Sequence, residues 1–578
     1  MLNTLAGKRC ATALALVSLS GLTSAGELLI EQRVTDDGAL LVRYTPPDGV
    51  RELPLFNRSP TMQTVWGEMA APVDRCAAVA LKPRVTVTLA QDCASATFRV
   101  APRLLHRYAI NEPAFAVGSS AVMAYTGYYA AVLPGYVVRW RWVPDHEAHA
   151  VVAGQVSAQP IERVLTVEQV AFAASDEGRT PAGFDSAMAH EYVLVGKVAI
   201  EPMPGGVLIH DRAIDALRLG AVRDALARVT VRLGRAYGVT LAGPWAVVAS
   251  APPGMQGFRG DVTAGRMMSL RFDSTVPKDG EAASRAVHQF VAHEVTHWWD
   301  TGVFRTDGDR PWIHEGHADW MAGLLARESG QLSATGWRDR LDTALNNCQF
   351  ARGDRPAVTL PRGHNGGDDP YACGQVLWLL AQSARPRDGT PVDAGASLFR
   401  GSTAPIDAEA VARWADGGGT GPMHRLLFDP QQGFRSALLR DWSAVVEASD
   451  LKAGEPVPSF LRGSLASALM SALMVADCGG AISFWTQSDH FRIDTLPACR
   501  VLRGNPSVRR IAGVSPFDDP VGAWLAMRAA CAAGPSVALV TNAAEPLLLA
   551  CPAKVPDLPI QQILRLRPQA LERLGLGP

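Results

Sequence analysis

His293-Glu294-Val295-Thr296-His297 is the stretch on which the reading of this chain turns. It lies within Glu281 to Trp299, a run whose apolar residues recur at helical spacing. On a helix, positions i and i+4 share a face, so the two imidazoles point the same way and can bind one Zn²⁺. Glu294 is one residue from His293 and projects beside the metal rather than onto it. That is where a base must stand to take a proton from a water activated at the metal. Two histidines on a surface helix need have no function, so the reading requires a third ligand.

Working outward, Trp312-Ile-His-Glu-Gly-His-Ala-Asp-Trp320 predicts a second helix, with Pro311 at its start. Glu315 falls eighteen positions after His297, across the turn-rich connector Thr306-Asp-Gly-Asp-Arg-Pro311. Two helices joined this way can bring a carboxylate to the two imidazoles. Asp319 is one turn beyond Glu315 on the same face, where it can accept the outer N–H of a ligand histidine and set its tautomer. The expected metal site is His293, His297 and Glu315 around one Zn²⁺ per chain, with Glu294 as base and Asp319 behind a ligand. His314 and His317 flank Glu315 but point elsewhere on a helix. His288 reads as structural, His364 as a loop residue, and the tryptophans near the motif as core.

These motifs resemble those of the gluzincin metallopeptidases, notably the aminopeptidase N and glycyl aminopeptidase families. H-E-x-x-H followed by W-[IL]-x-E-G is their motif pair, and Glu315-x-x-x-Asp319 is similar to thermolysin. His297-Trp298-Trp299-Asp300 looks like the H-x-W-N of glycyl aminopeptidases. The resemblance implies a zinc peptidase acting on peptide or protein substrates, and a catalytic tyrosine in Y-x-K-G on a later helix. Tyr371-Ala-Cys-Gly374 stands at the comparable distance, with Cys373 in place of Lys. Aminopeptidases of this clan also carry an upstream Glu for the substrate's amine. The segment compared with it, Ala264-Gly-Arg-Met-Met-Ser269, has no acid. An arginine there would repel an α-amine, so blocked or internal peptide bonds are expected to be cut at least as well as free N-terminal residues. The missing acid also keeps open a rival reading, a catalytically inactive peptide-binding protein that retains the fold.

The rest of the chain sets the architecture. Leu40 to Thr45, Arg84 to Leu89 and Tyr136 to Trp142 read as strands, and Ala213 to Tyr237 as a helix before the strand-like Trp245 to Ala249. Helices follow to about Ser449, and short strands surround a helical segment after Pro458. The expected fold class is multidomain α+β. An N-terminal antiparallel β domain covers 26–200. A thermolysin-like zinc peptidase domain over 201–455 joins an α/β lobe to a helical lobe, and a PDZ-like domain occupies 456–578. The PDZ likeness rests on Val508 to Val514 and Ser536 to Thr541, without a recognisable carboxylate-binding loop.

Lys8 and Arg9, the apolar Ala11 to Leu22 and the small Thr23-Ser24-Ala25 read as a signal peptide over 1–25. Export to a periplasmic or secreted location is expected, and the scarcity of Lys among the 55 basic residues fits a GC-rich bacterial genome. Cys10 leaves with the signal. Eight cysteines remain, in neighbouring pairs 76/93, 348/373, 478/499 and 531/551. An even number in an oxidising compartment favours disulfides, although eight cysteines allow 105 pairings. A length of 578 residues exceeds one hydrophobic core. Apolar residues make up 48% and charged ones 19%, which excludes a disordered chain. A net charge of -1 lacks the basic footprint of a nucleic-acid binder. No spanning helix is expected after the signal, because no long apolar run stands out there.

Overall fold

The computed structural model describes residues 26–575 except 56–59, 105–111, 132, 134–135, 166–190, 213, 242, 254, 256–257, 264–265, 274–279, 361–368, 386–388, 451–455, 480–483, 487–488, 494–497, 505, 543–544 and 553–561. The expected signal peptide and His364 lie outside the described residues.

The N-terminal part is built from strands. Six of them form one sheet in the order 161–165, 137–142, 27–34, 40–45, 96–100, 70–72, and five form a second in the order 155–157, 149–152, 192–196, 121–125, 114–116. A three-stranded sheet (52–54, 86–89, 77–80) completes it. Alternating residues such as Leu28, Ile30, Val42, Tyr44, Val138 and Trp140 fill its core. One expectation needs correcting: Glu27–Val34 pairs with Val137–Trp142 in parallel, so the sheet is not purely antiparallel. Period-two alternation sets which face a residue takes, but not strand direction.

The middle sheet has the order Ala199–Met203, Gly206–His210, Trp245–Ser250, Met267–Phe272, Phe258–Val262. Its three inner strands run parallel and its two edge strands antiparallel. Trp245, Val247 and Ala249 face the helices, whereas Ala246 and Val248 face the N-terminal core. Burial on both faces is why Trp245 to Ala249 is continuously apolar rather than alternating.

Helices cover the other face. α1 (Ala216–Tyr237) begins where the Asp215 side chain accepts the Arg218 N–H and ends at Gly238 in the left-handed region. α2 (Gly280–Asp300) packs on α1 and on α3 (His314–Glu328); α4 (Ala334–Arg352) and α5 (Asp369–Ser383) follow, with α5 against both α3 and α4. Trp298, Trp299, Trp312, Trp320, Trp337 and Trp378 are all buried in this core.

The remaining strands, 484–486, 491–493, 507–511, 536–541 and 547–550, form an antiparallel sheet with its own core, packed by helices Ser459–Asp477 and Pro520–Ala533. The boundary at 456–578 needs a correction at its far end. Strand Gln562–Leu566 pairs with Val446–Asp450, and Leu564, Leu566, Ala570, Leu571 and Leu574 belong to the large core. The chain leaves that core after 450 and returns to it at 562. Side chains of α4 receive the returning strand: Asp342 accepts the Leu566 N–H, and Asn346 both accepts from and donates to Leu564.

The helix Ser459–Asp477 also corrects the expectation about apolar runs, since its length and mean hydropathy of 1.4 match those of a membrane span. Leu461, Leu465, Leu469 and Leu473 recur every four residues and are fully buried in protein, the pattern of a core helix. Four disulfides link Cys76–Cys93, Cys348–Cys373, Cys478–Cys499 and Cys531–Cys551, the neighbouring pairs.

Candidate metal centre and cleft

α2 presents His293 and His297 one turn apart, and the crossing of α3 brings Glu315 to them. His293 Nε2 and His297 Nε2 stand 3.2 Å apart, and each is 3.3 Å from Glu315 Oε2. Four ligands about 2.0–2.1 Å from a tetrahedral Zn²⁺ stand about 3.3–3.4 Å from one another. The three atoms therefore match one face of that tetrahedron, and the N,N,O donor set suits zinc.

His293 Nδ1 lies 3.0 Å from Asp319 Oδ1, the same oxygen that Arg340 Nη2 approaches at 3.3 Å. Burial alone would push the Asp319 carboxyl up; the bond from His293 and the charge of Arg340 outweigh it and hold the group below its ordinary value. An ionised Asp319 accepts the Nδ1–H and leaves Nε2 as the lone-pair donor. His297 Nδ1 is buried without such a partner. Asp319→Asn is expected to weaken zinc binding about 10- to 100-fold, read by competition with a chromogenic chelator. An unchanged affinity would remove Asp319 from the site.

Glu294 is buried beside the triangle. Desolvation pushes its carboxyl up to about 7, against the pull of His293 and His297. Glu315 experiences the same burial, but His297 and His293 hold it well below the usual carboxylate range. The two acids, twenty-one positions apart in the sequence, are thus separated in basicity by their neighbours.

Tyr371 lies in the first turn of α5, its ring 6.0 Å from that of His293 and 37% exposed. α5 starts at Asp369, earlier than the run Gln375 to Ser383 that reads as helical from its apolar residues. Two glycines permit the approach. A Cβ on Gly316 would stand 2.3 Å from the Gly374 Cα, and one on Gly374 would stand 2.6 Å from the Gly316 Cα. The glycines after Glu315 and Cys373 thus mark where α3 and α5 cross backbone to backbone.

Glu294, His293 and Tyr371 open onto a cleft of about 650 Å³. Its wall includes Phe258, Arg259 and Gly260 of the edge strand, together with Glu112 from the N-terminal part, Arg271, Gln289 and Arg340. Sequence reasoning missed these residues. Arg340 and Gln289 look like ordinary helical surface positions, and nothing local marks Glu112.

The expectation drawn from Arg266 to Ser269 fails here. The cleft is bordered by Phe258, Arg259 and Gly260 and by Arg271 of the neighbouring strand, whereas Met267, Met268 and Ser269 of that strand are fully buried and Arg266 donates to the Gly243 carbonyl. The expectation that blocked or internal bonds are cut at least as well as free N-termini loses its basis with it. His317 turns away from the metal triangle: its Nδ1 is 2.8 Å from Asp300 Oδ2, and the other Asp300 oxygen accepts from the Tyr237 hydroxyl. His314 Nε2 is 3.6 Å from Glu315 Oε1, the oxygen not shared by the two histidines.

No family model matches the chain, and no curated protein matches it by sequence. Among solved structures it is similar to an aminopeptidase N family protein from Idiomarina loihiensis, with a TM-score of 0.55 at 12% identity over 96% of this chain and 100% of that one. An M1 zinc metallopeptidase from Deinococcus radiodurans gives a TM-score of 0.39 at 15% identity, over 75% of this chain and 95% of that one. The second likeness is too slight to bear on the fold. The first shows that this chain, a multidomain α+β protein, shares the architecture of the Idiomarina protein along almost its whole length.

Proposed function

We propose that the protein is an exported zinc metallopeptidase that hydrolyses peptide bonds. The observation that carries the reading is the triangle of His293, His297 and Glu315, edged at 3.2–3.3 Å, with buried Glu294 beside it at the floor of a cleft. A Zn²⁺ held by these three residues supplies a Lewis acid for the water and for the scissile carbonyl. Glu294 takes a proton from the attacking water and delivers it to the leaving amine as the C–N bond breaks. The Tyr371 hydroxyl donates to the oxygen on which negative charge develops. Asp319, braced by Arg340, holds His293 in its ligand tautomer.

The remaining assignments belong to the same proposal. Residues 1–25 are a signal peptide, and the four disulfides support an oxidising destination, periplasmic or secreted. Residues 26–200 form an N-terminal β domain, 201–455 the catalytic domain, and the sheet after 456 a PDZ-like domain inserted before the returning strand at 562. Peptides or proteins are the substrates, and nucleic acid is not a partner.

The deciding experiment is metal analysis of the purified protein beside a mixed-peptide cleavage assay. About one zinc per chain with chelator-sensitive cleavage is the expected result. Zinc without cleavage of any peptide would favour the inactive peptide-binding reading, and absence of zinc after reloading would overturn the metallopeptidase reading.

A further inference from the structure

We propose that the Cys348–Cys373 disulfide is a positioning device for Tyr371, holding its ring against the metal site; the inference rests on the function proposed above. Tyr371 sits where a helix is least able to hold a side chain. It is in the first turn of α5, whose leading N–H groups have no partner within the helix. Tyr371 is also partly exposed at the cleft, whereas Cys373, two residues on, is fully buried.

Two contacts act on this turn from different sides. Gly374 is pressed against Gly316 of α3, immediately after the ligand Glu315. Cys373 is bonded to Cys348 of α4, the helix that also supplies Arg340 to Asp319. The glycine contact sets how closely α5 approaches α3, but glycines have no side chains with which to resist sliding along the crossing. The disulfide supplies that restraint covalently. It ties the tyrosine's turn to the helix that braces His293 through Asp319. Elements carrying an oxyanion donor and a ligand's support are thereby held in one frame, as catalysis by positioning requires. The other three disulfides lie in the N-terminal and C-terminal parts, away from the cleft-lining helices.

The test is a double-mutant cycle between the disulfide and the tyrosine. Cys348→Ala/Cys373→Ala, Tyr371→Phe and the triple variant are compared for kcat, KM and zinc content, with Cys76→Ala/Cys93→Ala as the control for losing any disulfide. In the Tyr371 background, loss of the 348–373 bond is expected to lower kcat about 10- to 100-fold with KM and zinc little changed, the cost of a small misplacement. In the Tyr371→Phe background the same loss is expected to change kcat less than about twofold, because the group being positioned is gone. An equal factor in both backgrounds, or an unchanged kcat, overturns the inference while leaving the peptidase reading intact.

Hydrogen exchange at residues 373–377, whose N–H groups reach back to the carbonyls of the first turn, tests the positioning without reference to hydrolysis. Protection is expected to fall in Cys348→Ala/Cys373→Ala and to persist in the 76/93 control; unchanged protection overturns the inference even if the protein cleaves nothing. Should the double variant not fold, the folded wild-type protein is reduced with a phosphine, which is itself oxidised to the phosphine oxide, and thiol labelling identifies the opened pair. The same loss of protection is then expected once the 348–373 pair has opened.

Discussion

Glu294→Gln is expected to retain about one zinc per chain while lowering kcat by at least about 10²- to 10⁴-fold, the span contributed by a positioned acid–base group. The carboxylate stands beside the triangle of ligand atoms rather than in it, so replacing one of its oxygens by an amide leaves His293, His297 and Glu315 in place. What is lost is the proton acceptor. Desolvation has raised that group to about 7, close to the pH at which a base is most useful. Glu315→Ala has the opposite signature. It removes the atom that lies 3.3 Å from both imidazoles, and zinc content and activity are expected to fall together. The comparison needs only metal analysis and a kinetic assay on the two variants. If Glu294→Gln sheds zinc as readily as Glu315→Ala, Glu294 is a ligand and the division of roles is wrong.

Tyr371→Phe is expected to lower kcat about 10²-fold or more and to change KM far less. Its ring lies 6.0 Å from the ring of His293, and Phe preserves that packing and the buried turn behind it. The hydroxyl alone is deleted. A hydrogen bond that strengthens as charge develops on the substrate oxygen belongs to the transition state, so its loss appears in kcat rather than in binding. Zinc content should be unaffected, since Tyr371 is not one of the three converging donors. An unchanged kcat would leave Tyr371 as part of the packing of α5 against the metal helices.

Much of the site was legible because its parts are local. His293, Glu294 and His297 lie within five residues, and the helical period alone decides which of them share a face. Glu315 and Asp319 repeat the argument one turn apart on the next helix. The cysteine spacings similarly pointed to four short loops, since residues close in the chain meet at little entropic cost. Legibility failed where a strand had to be placed in a sheet. Arg266 to Ser269 resembles a cleft-lining segment by its position before the zinc helix, yet it forms the inner strand and Phe258–Val262 takes the edge. Strand order depends on which neighbours hydrogen-bond, and apolar pattern carries little information about that.

The chain by itself determined the shared face of His293 and His297, the one-turn spacing of Glu315 and Asp319, and the alternation that makes one strand-rich part and one helix-rich part, because each follows from spacing along a single element. Only the tertiary structure decided which sequence-distant groups join them. Arg340 reaches Asp319 from a separate helix, and Glu112 enters the cleft from the N-terminal part. The strand at 562–566 returns to a core that the chain left more than a hundred residues earlier. Such meetings are set by the packing of whole elements, where burial of apolar faces outweighs any preference of the individual polar residues. A side chain's local sequence therefore holds no record of the partner it will find.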